Sequence, residues 1–132
     1  MRVGPFATNK EILTVTPELS LFEAAQRMRD RRAGSAIVVA AGSKPAIITE
    51  RDLLRAMADG AELTSTRVNA YMTPDAVTIT ADWHVVDVAR TMIDRGFRHV
   101  IVVDAEGGVV GVLSIRDIVR ALIQDRQRTL AG

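Results

Sequence analysis

The chain has 132 residues, one domain's length, with 48% apolar residues and a formal net charge of +1, which suits a globular core. It contains no cysteine, which excludes a disulfide framework and thiolate chemistry, and its basic residues are spread along the chain, so neither nucleic acid nor an anionic membrane surface is indicated as a partner. No apolar run has the length of a membrane span, and Met1-Arg2-Val3-Gly4-Pro5-Phe6 lacks the apolar centre of a signal peptide, so a cytoplasmic location is expected.

In chain order, residues 1–13 read as a lead-in in which Gly4 and Pro5 oppose a long helix. Thr14-Val15-Thr16 is a short extended piece ended by Pro17. Ser20 and Glu23 have the spacing of a capping box at the start of a helix. Leu21, Ala25 and Met28 form its apolar stripe. The helix ends in Arg29-Asp30-Arg31-Arg32 near Gly34, and Ala36 to Ala40 is an apolar strand. A turn at Ala41-Gly42-Ser43-Lys44 leads to a strand from Pro45 to Thr49 and a helix from Glu50 to about Asp59, stopped by Gly60. Val68 to Met72 can make one helical turn before Pro74. The plan then repeats. Thr78-Ile79-Thr80 is followed by a helix from about His84 to Arg95, strands at Val100–Val103 and Val109–Ser114 around a Gly107-Gly108 turn, and a helix from Ile115 to about Asp125. A polar tail from Arg126 is expected to fray.

The repetition is also visible residue by residue. Thr14 to Val39 matches Thr78 to Val103, with Thr, Thr, Ala, Met, Asp, Arg and an Ile-Val-Val run recurring. Ala46-Ile47-Ile48-Thr49-Glu50-Arg51-Asp52 matches Gly111-Val112-Leu113-Ser114-Ile115-Arg116-Asp117. Two similar units follow. Residues 1–62 make repeat one with its lead-in, 63–75 the connector, 76–125 repeat two and 126–132 the tail. A helix between two strands favours parallel pairing and a short turn an antiparallel hairpin, which gives a mixed α+β fold of two β-α-β-β-α units. The unbroken apolar strand Val100-Ile101-Val102-Val103 should be buried on both faces, so the two sheets are expected to pack face to face about a pseudo-two-fold, with two equivalent clefts at the junction.

Thr49 with Asp52, and Ser114 with Asp117, can be read in two ways. A hydroxyl followed three residues later by an acid suits a capping box and the positive end of the helix dipole. The same geometry suits a nucleotide. The helix start and hydroxyl face phosphate, Arg51 or Arg116 adds a charged donor, and the acid accepts from a ribose diol. Other residues have ordinary readings. His84 is a helix-start residue, Trp83 packs at the helix start, and Met28 and Met92 belong to the core. Two histidines without cysteine argue against a transition-metal site, and no base and nucleophile pair points to catalysis.

Ile48-Thr49-Glu50-Arg51-Asp52-Leu53-Leu54-Arg55, Gly34-Ser35-Ala36-Ile37-Val38-Val39, Tyr71-Met72-Thr73-Pro74 and Gly96-Phe97-Arg98-His99-Val100-Ile101-Val102-Val103-Asp104 resemble the cystathionine β-synthase (CBS) domain, and the tandem resembles the CBS pair, or Bateman module. The resemblance covers roughly residues 10–125. It implies a non-catalytic regulatory module, with no required cofactor, that binds AMP, ADP, ATP or S-adenosylmethionine between the repeats and signals to a regulated partner. The hydroxyl and acid roles then fall on Thr49 with Asp52 and on Ser114 with Asp117. Base-framing roles fall on Thr16, Ser35 and Ala36 in one cleft, and on Thr80, His99 and Val100 in the other. The methyl of Ala46 where many members have Gly, beside Gly111, Arg98 and Arg116 in the second copy, favours the second cleft. The alternative is a CBS-fold interaction or scaffold protein with degenerate sites. Second apolar stripes, Val86 with Ile93 and Val119 with Ile123, point to a homodimer joined through helices, as the resemblance also implies.

Overall fold

A computed structural model describes residues 1–7, 12–40 and 44–131. The chain divides into two units. The first comprises the described residues within 12–76, and the second comprises 1–7 together with 77–131.

In the first unit, β1 (Thr14–Val15), α2 (Leu21–Arg31), β2 (Ser35–Val38), β3 (Ala46–Thr49) and α3 (Glu50–Ala58) follow in order, and a single 3₁₀ turn (Val68–Ala70) lies in the connector. β2 is central, parallel to β1 and antiparallel to β3. α2 packs on β2 and α3 on β3, and the two helices touch. Leu21, Ala24 and Met28 carry the buried stripe of α2. The stripe thus runs through Ala24 rather than the expected Ala25, which is half-buried. Ser20 caps α2 by accepting the Glu23 N–H at 3.1 Å, while the Glu23 carboxylate pairs with Arg27 at 3.2 Å. Of the turn expected at residues 41–44, residues 41–43 lie outside the described residues.

The second unit has the same architecture. β4 (Thr78–Thr80), α4 (Val85–Arg95), β5 (His99–Val103), β6 (Val109–Ser114) and α5 (Ile115–Ala131) build a three-stranded sheet with β5 central. β5 is parallel to β4 and antiparallel to β6. Successive strand residues point to opposite faces. Val100, Ile101 and Val102 are all at most 1% exposed, so both faces of β5 are covered, as its unbroken apolar sequence requires. His84 caps α4 by accepting the Val86 N–H on Nδ1 at 3.2 Å, as its position at the helix start suggests. α5 does not fray at Asp125 but runs on to Ala131. Arg126, Gln127 and Arg128 are good helix formers, and the Thr129 hydroxyl bonds back to the Asp125 carbonyl at 3.0 Å.

Residues 1–7, read from sequence as a lead-in to the first repeat, pack in the second unit instead. The short α1 (Gly4–Ala7) buries Ala7, and Val3 is fully buried beside Ile79, Val85 and Leu113. The backbone explains the placement. Val3 N–H donates to the Trp83 carbonyl at 3.0 Å and Gly4 N–H to that of Ala81 at 3.0 Å. The connector does the same for the first unit, with Val68 N–H on Leu19 at 2.8 Å and Asn69 N–H on Pro17 at 3.0 Å. Each unit is therefore completed by an Arg-Val segment, Arg2-Val3 in one and Arg67-Val68 in the other, laid against the start of its first helix.

Candidate functional site

The two strand-to-helix junctions have the same atomic plan. In the first, the Asp52 carboxylate turns back over the start of α3. Its Oδ2 accepts from the Thr49 N–H at 2.9 Å and from the Thr49 hydroxyl at 3.0 Å, and the same hydroxyl accepts the Asp52 N–H at 3.3 Å. In the second, Asp117 Oδ2 accepts from the Ser114 N–H at 2.7 Å and the Ser114 hydroxyl at 2.9 Å, and that hydroxyl accepts the Asp117 N–H at 3.3 Å. The acids are 7% and 4% exposed. The first helical N–H is also occupied. Glu50 N–H donates to the Gly34 carbonyl at 3.0 Å, and Ile115 N–H to that of Arg98 at 2.8 Å. The capping arrangement read from the spacing is therefore realised at both junctions.

The remaining carboxylate oxygens differ between the copies. Asp52 Oδ1 accepts from Arg55 Nη2 at 3.1 Å. Arg55 Nη2 also donates to the Tyr71 carbonyl at 3.0 Å, and the guanidinium stands 5.3 Å from the centre of the Tyr71 ring. The Tyr71 hydroxyl in turn donates to Asp59 at 2.9 Å, a bond that holds the phenol above its usual pKa while the Arg55 charge pulls it down. In the second copy Arg120 lies 3.6 Å from Asp117 Oδ1, and Phe6 stands where the first copy has Tyr71. Neither arginine was singled out in the sequence. The available signal was that both follow their acid by three residues, one helical turn away.

The register brings some of the predicted residues together and separates others. Ser35 pairs with Thr49 and His99 with Ser114, so these lie side by side at one end of each sheet. Thr16 follows the last residue of β1, beside the far end of β2, and Thr80 pairs with Val103 at the far end of β5. At about 3.3 Å per residue, Thr80 and His99 are separated by roughly 13 Å along β5. Within one unit Thr16 and Ser35, or Thr80 and His99, thus mark opposite ends of a sheet rather than one group. The Thr80 hydroxyl is given to Asp82, whose carboxyl that bond holds below its usual range. Ala36 and Val100 have their side chains in the cores of their units, so they could meet a ligand only through backbone. Arg51, Arg98 and Arg116 are exposed, and Ser35 is buried.

Gly111, which favoured the second cleft over the one with Ala46, does not face open space. A Cβ there would lie 2.6 Å from the Ala7 carbonyl oxygen. The space above Gly111 is filled by the chain's own α1, and Ala46 gives no reason to rank the first junction lower. Among the described residues no group of three His, Cys, Asp or Glu side chains could hold a metal ion, and no helix is long and apolar enough to cross a membrane.

The CBS domain model matches residues 3–59 and again residues 68–124. The chain belongs to the CBS domain family. Its two CBS repeats are similar over 92% of the chain, at 37% identity, to an uncharacterized 17.7 kDa protein of Acidianus ambivalens, of which they cover 73%. The chain spans about 60% of the length of two further curated relatives, one of them the mitochondrial CBS domain-containing protein CBSX3 of Arabidopsis thaliana. Among solved structures, the CBS domain protein PAE2072 of Pyrobaculum aerophilum, complexed with AMP, matches at 29% identity with a TM-score of 0.80, covering 89% of each chain. The CBS domain pair of MJ0100, in complex with 5′-methylthioadenosine and S-adenosylmethionine, matches at 27% identity with a TM-score of 0.82, covering 92% of this chain and 99% of that one.

The capping bonds give a direct expectation. Thr49→Ala or Ser114→Ala should destabilise the fold by about 0.5–2 kcal/mol in denaturant titration, as for loss of an N-cap. If the hydroxyls also meet phosphate, the same changes should weaken AMP more than adenosine. Equal losses for both would leave them as caps alone.

Proposed function

We propose that the protein is a non-catalytic regulatory module that binds an adenosine-containing ligand, AMP, ADP, ATP or S-adenosylmethionine, at the strand-to-helix junctions and signals occupancy to a partner protein. The doubled junction carries the reading: a buried acid and a hydroxyl at a helix start, with Ser35 or His99 alongside and exposed Arg51 or Arg116 one residue before the acid. Each acid offers acceptors suited to a ribose diol, and each helix start suits phosphate. Adenosine ligands bound to PAE2072 and MJ0100 support the ligand class. No cofactor is required for this role.

One observation favours the alternative, a CBS-fold interaction protein with degenerate sites: each hydroxyl proton and each acid Oδ2 is already committed to the cap. A thermal-shift panel of AMP, ADP, ATP, adenosine and S-adenosylmethionine separates the two. A ligand at a hundred times its Kd adds about 2.7 kcal/mol, or roughly 10 °C in melting temperature for a chain of this size. A flat panel at millimolar concentration would leave the scaffold reading in place.

The module is also proposed to be a homodimer joined through α4 and α5. Val85, Met92 and Ile118 are buried in the second unit, whereas Ile93 is 76%, Ile123 54% and Val119 48% exposed. The second stripe does not sink into its own unit, and an isologous contact would cover it. Ile93→Glu or Ile123→Glu should convert a dimer mass in light scattering to a folded monomer. A wild-type monomer at tens of micromolar would reject the dimer.

A further inference from the structure

The first junction carries a contact chain that its acid's capping role does not need. Asp52 offers about four acceptor positions. Its Oδ2 is filled by two donors from Thr49, and its Oδ1 holds Arg55. One acceptor position is left on Oδ1, so a diol that brings two donors must contend with Arg55 for the second. Arg55 is well placed to leave, since its side chain is 55% exposed and exposed ion pairs are weak. It is equally well placed to report its departure. The same guanidinium holds the carbonyl and the ring face of Tyr71. Tyr71 closes the 3₁₀ turn, and two residues later Thr73 exchanges two backbone hydrogen bonds with Ile47 of β3, at 2.8 and 3.1 Å. Asp52, Arg55, Tyr71 and the connector thus form one continuous chain of contacts within the first unit.

The geometry points to Arg55 as a ligand-displaceable latch: a ribose diol on Asp52 displaces the guanidinium from Oδ1, and Arg55 then releases Tyr71 and loosens the connector. This rests on the adenosine reading above. It adds a positioning residue and a route by which occupancy leaves the site. In the second copy the corresponding pair, Arg120 and Asp117, is longer, at 3.6 Å against 3.1 Å. A latch that is closed most of the time lowers the apparent affinity by the open fraction.

Tyr71 is the chain's single tyrosine, so protein labelled in tyrosine gives one assignable set of ring signals in NMR. Adenosine is titrated into the full chain, with calorimetry run in parallel. The latch predicts that the Tyr71 signals move with the same midpoint as the heat. In Arg55→Met the signals should start displaced, adenosine should leave them still, and affinity for adenosine should rise about threefold to tenfold. A merely structural Arg55 would give no gain in affinity. Heat without movement in the wild type overturns the latch and leaves adenosine binding intact. Equal movement in Arg55→Met means direct contact and also overturns it. Absence of heat in the wild type removes the adenosine reading itself and the latch with it. The wild-type arm alone can overturn the latch, by heat without movement, even if the variant folds poorly.

Discussion

Replacing Gly111 by valine should destabilise the fold by about 1–3 kcal/mol, the cost of forcing side-chain atoms into a filled space. The reason is a close approach of backbone to backbone. A Cβ at residue 111 would meet the Ala7 carbonyl oxygen at 2.6 Å and the Ala7 carbonyl carbon at 3.1 Å. Neither can rotate away as a side-chain tip would. Relief requires lifting residues 1–7 from β6, which would uncover Val3 and Ala7, both fully buried. Hydrogen exchange should therefore show early loss of protection at the Val3 and Gly4 amides, which are held by Trp83 and Ala81. A variant as stable as the wild type, with those amides still protected, would show that α1 is not seated on Gly111.

Asp117→Ala should weaken AMP at the second junction by about 1.5–3 kcal/mol, the range for hydrogen bonds to a charged group, or roughly tenfold to 150-fold in Kd. The change also removes the acceptor for the Ser114 N–H and hydroxyl, so part of any loss could come from a disordered helix start. Asp117→Asn separates the effects. It keeps an oxygen for the cap and gives up the negative charge. If the charge holds the diol, Asn should retain most of the stability and lose most of the affinity. An Asn variant that binds AMP as well as the wild type would confine Asp117 to capping.

The repeats were legible because both copies carry the same residue types at the same spacing, and alternating strand and helix patterns fixed parallel and antiparallel pairing in turn. The junctions were legible for the same reason, although one spacing served both readings. What stayed hidden depends on contacts made far along the chain. Residues 1–7 contain Gly and Pro and have no periodicity, and their partners lie about eighty residues away, at Ala81 and Trp83. The one available clue was the recurrence of Arg2-Val3 as Arg67-Val68. Arg55 looked like one of several exposed arginines on a helix, and spacing alone does not say which turns back onto its own acid. The role assigned to Gly111 failed because an absent side chain makes room for whatever arrives, and here a backbone carbonyl arrives rather than a ligand. Thr16 and Ser35 stand at opposite ends of their sheet, and adjacency in a strand plan does not tell which end of a parallel pair each residue occupies.

Binding of an adenosine-containing ligand by the two buried acids can be measured by calorimetry of AMP with the wild type, Asp52→Ala, Asp117→Ala and the double variant. Saturable heat is expected in the wild type, weakened binding in each single variant and none in the double variant, with that protein still folded. No heat from the wild type at millimolar AMP, or unchanged binding by the folded double variant, would contradict it.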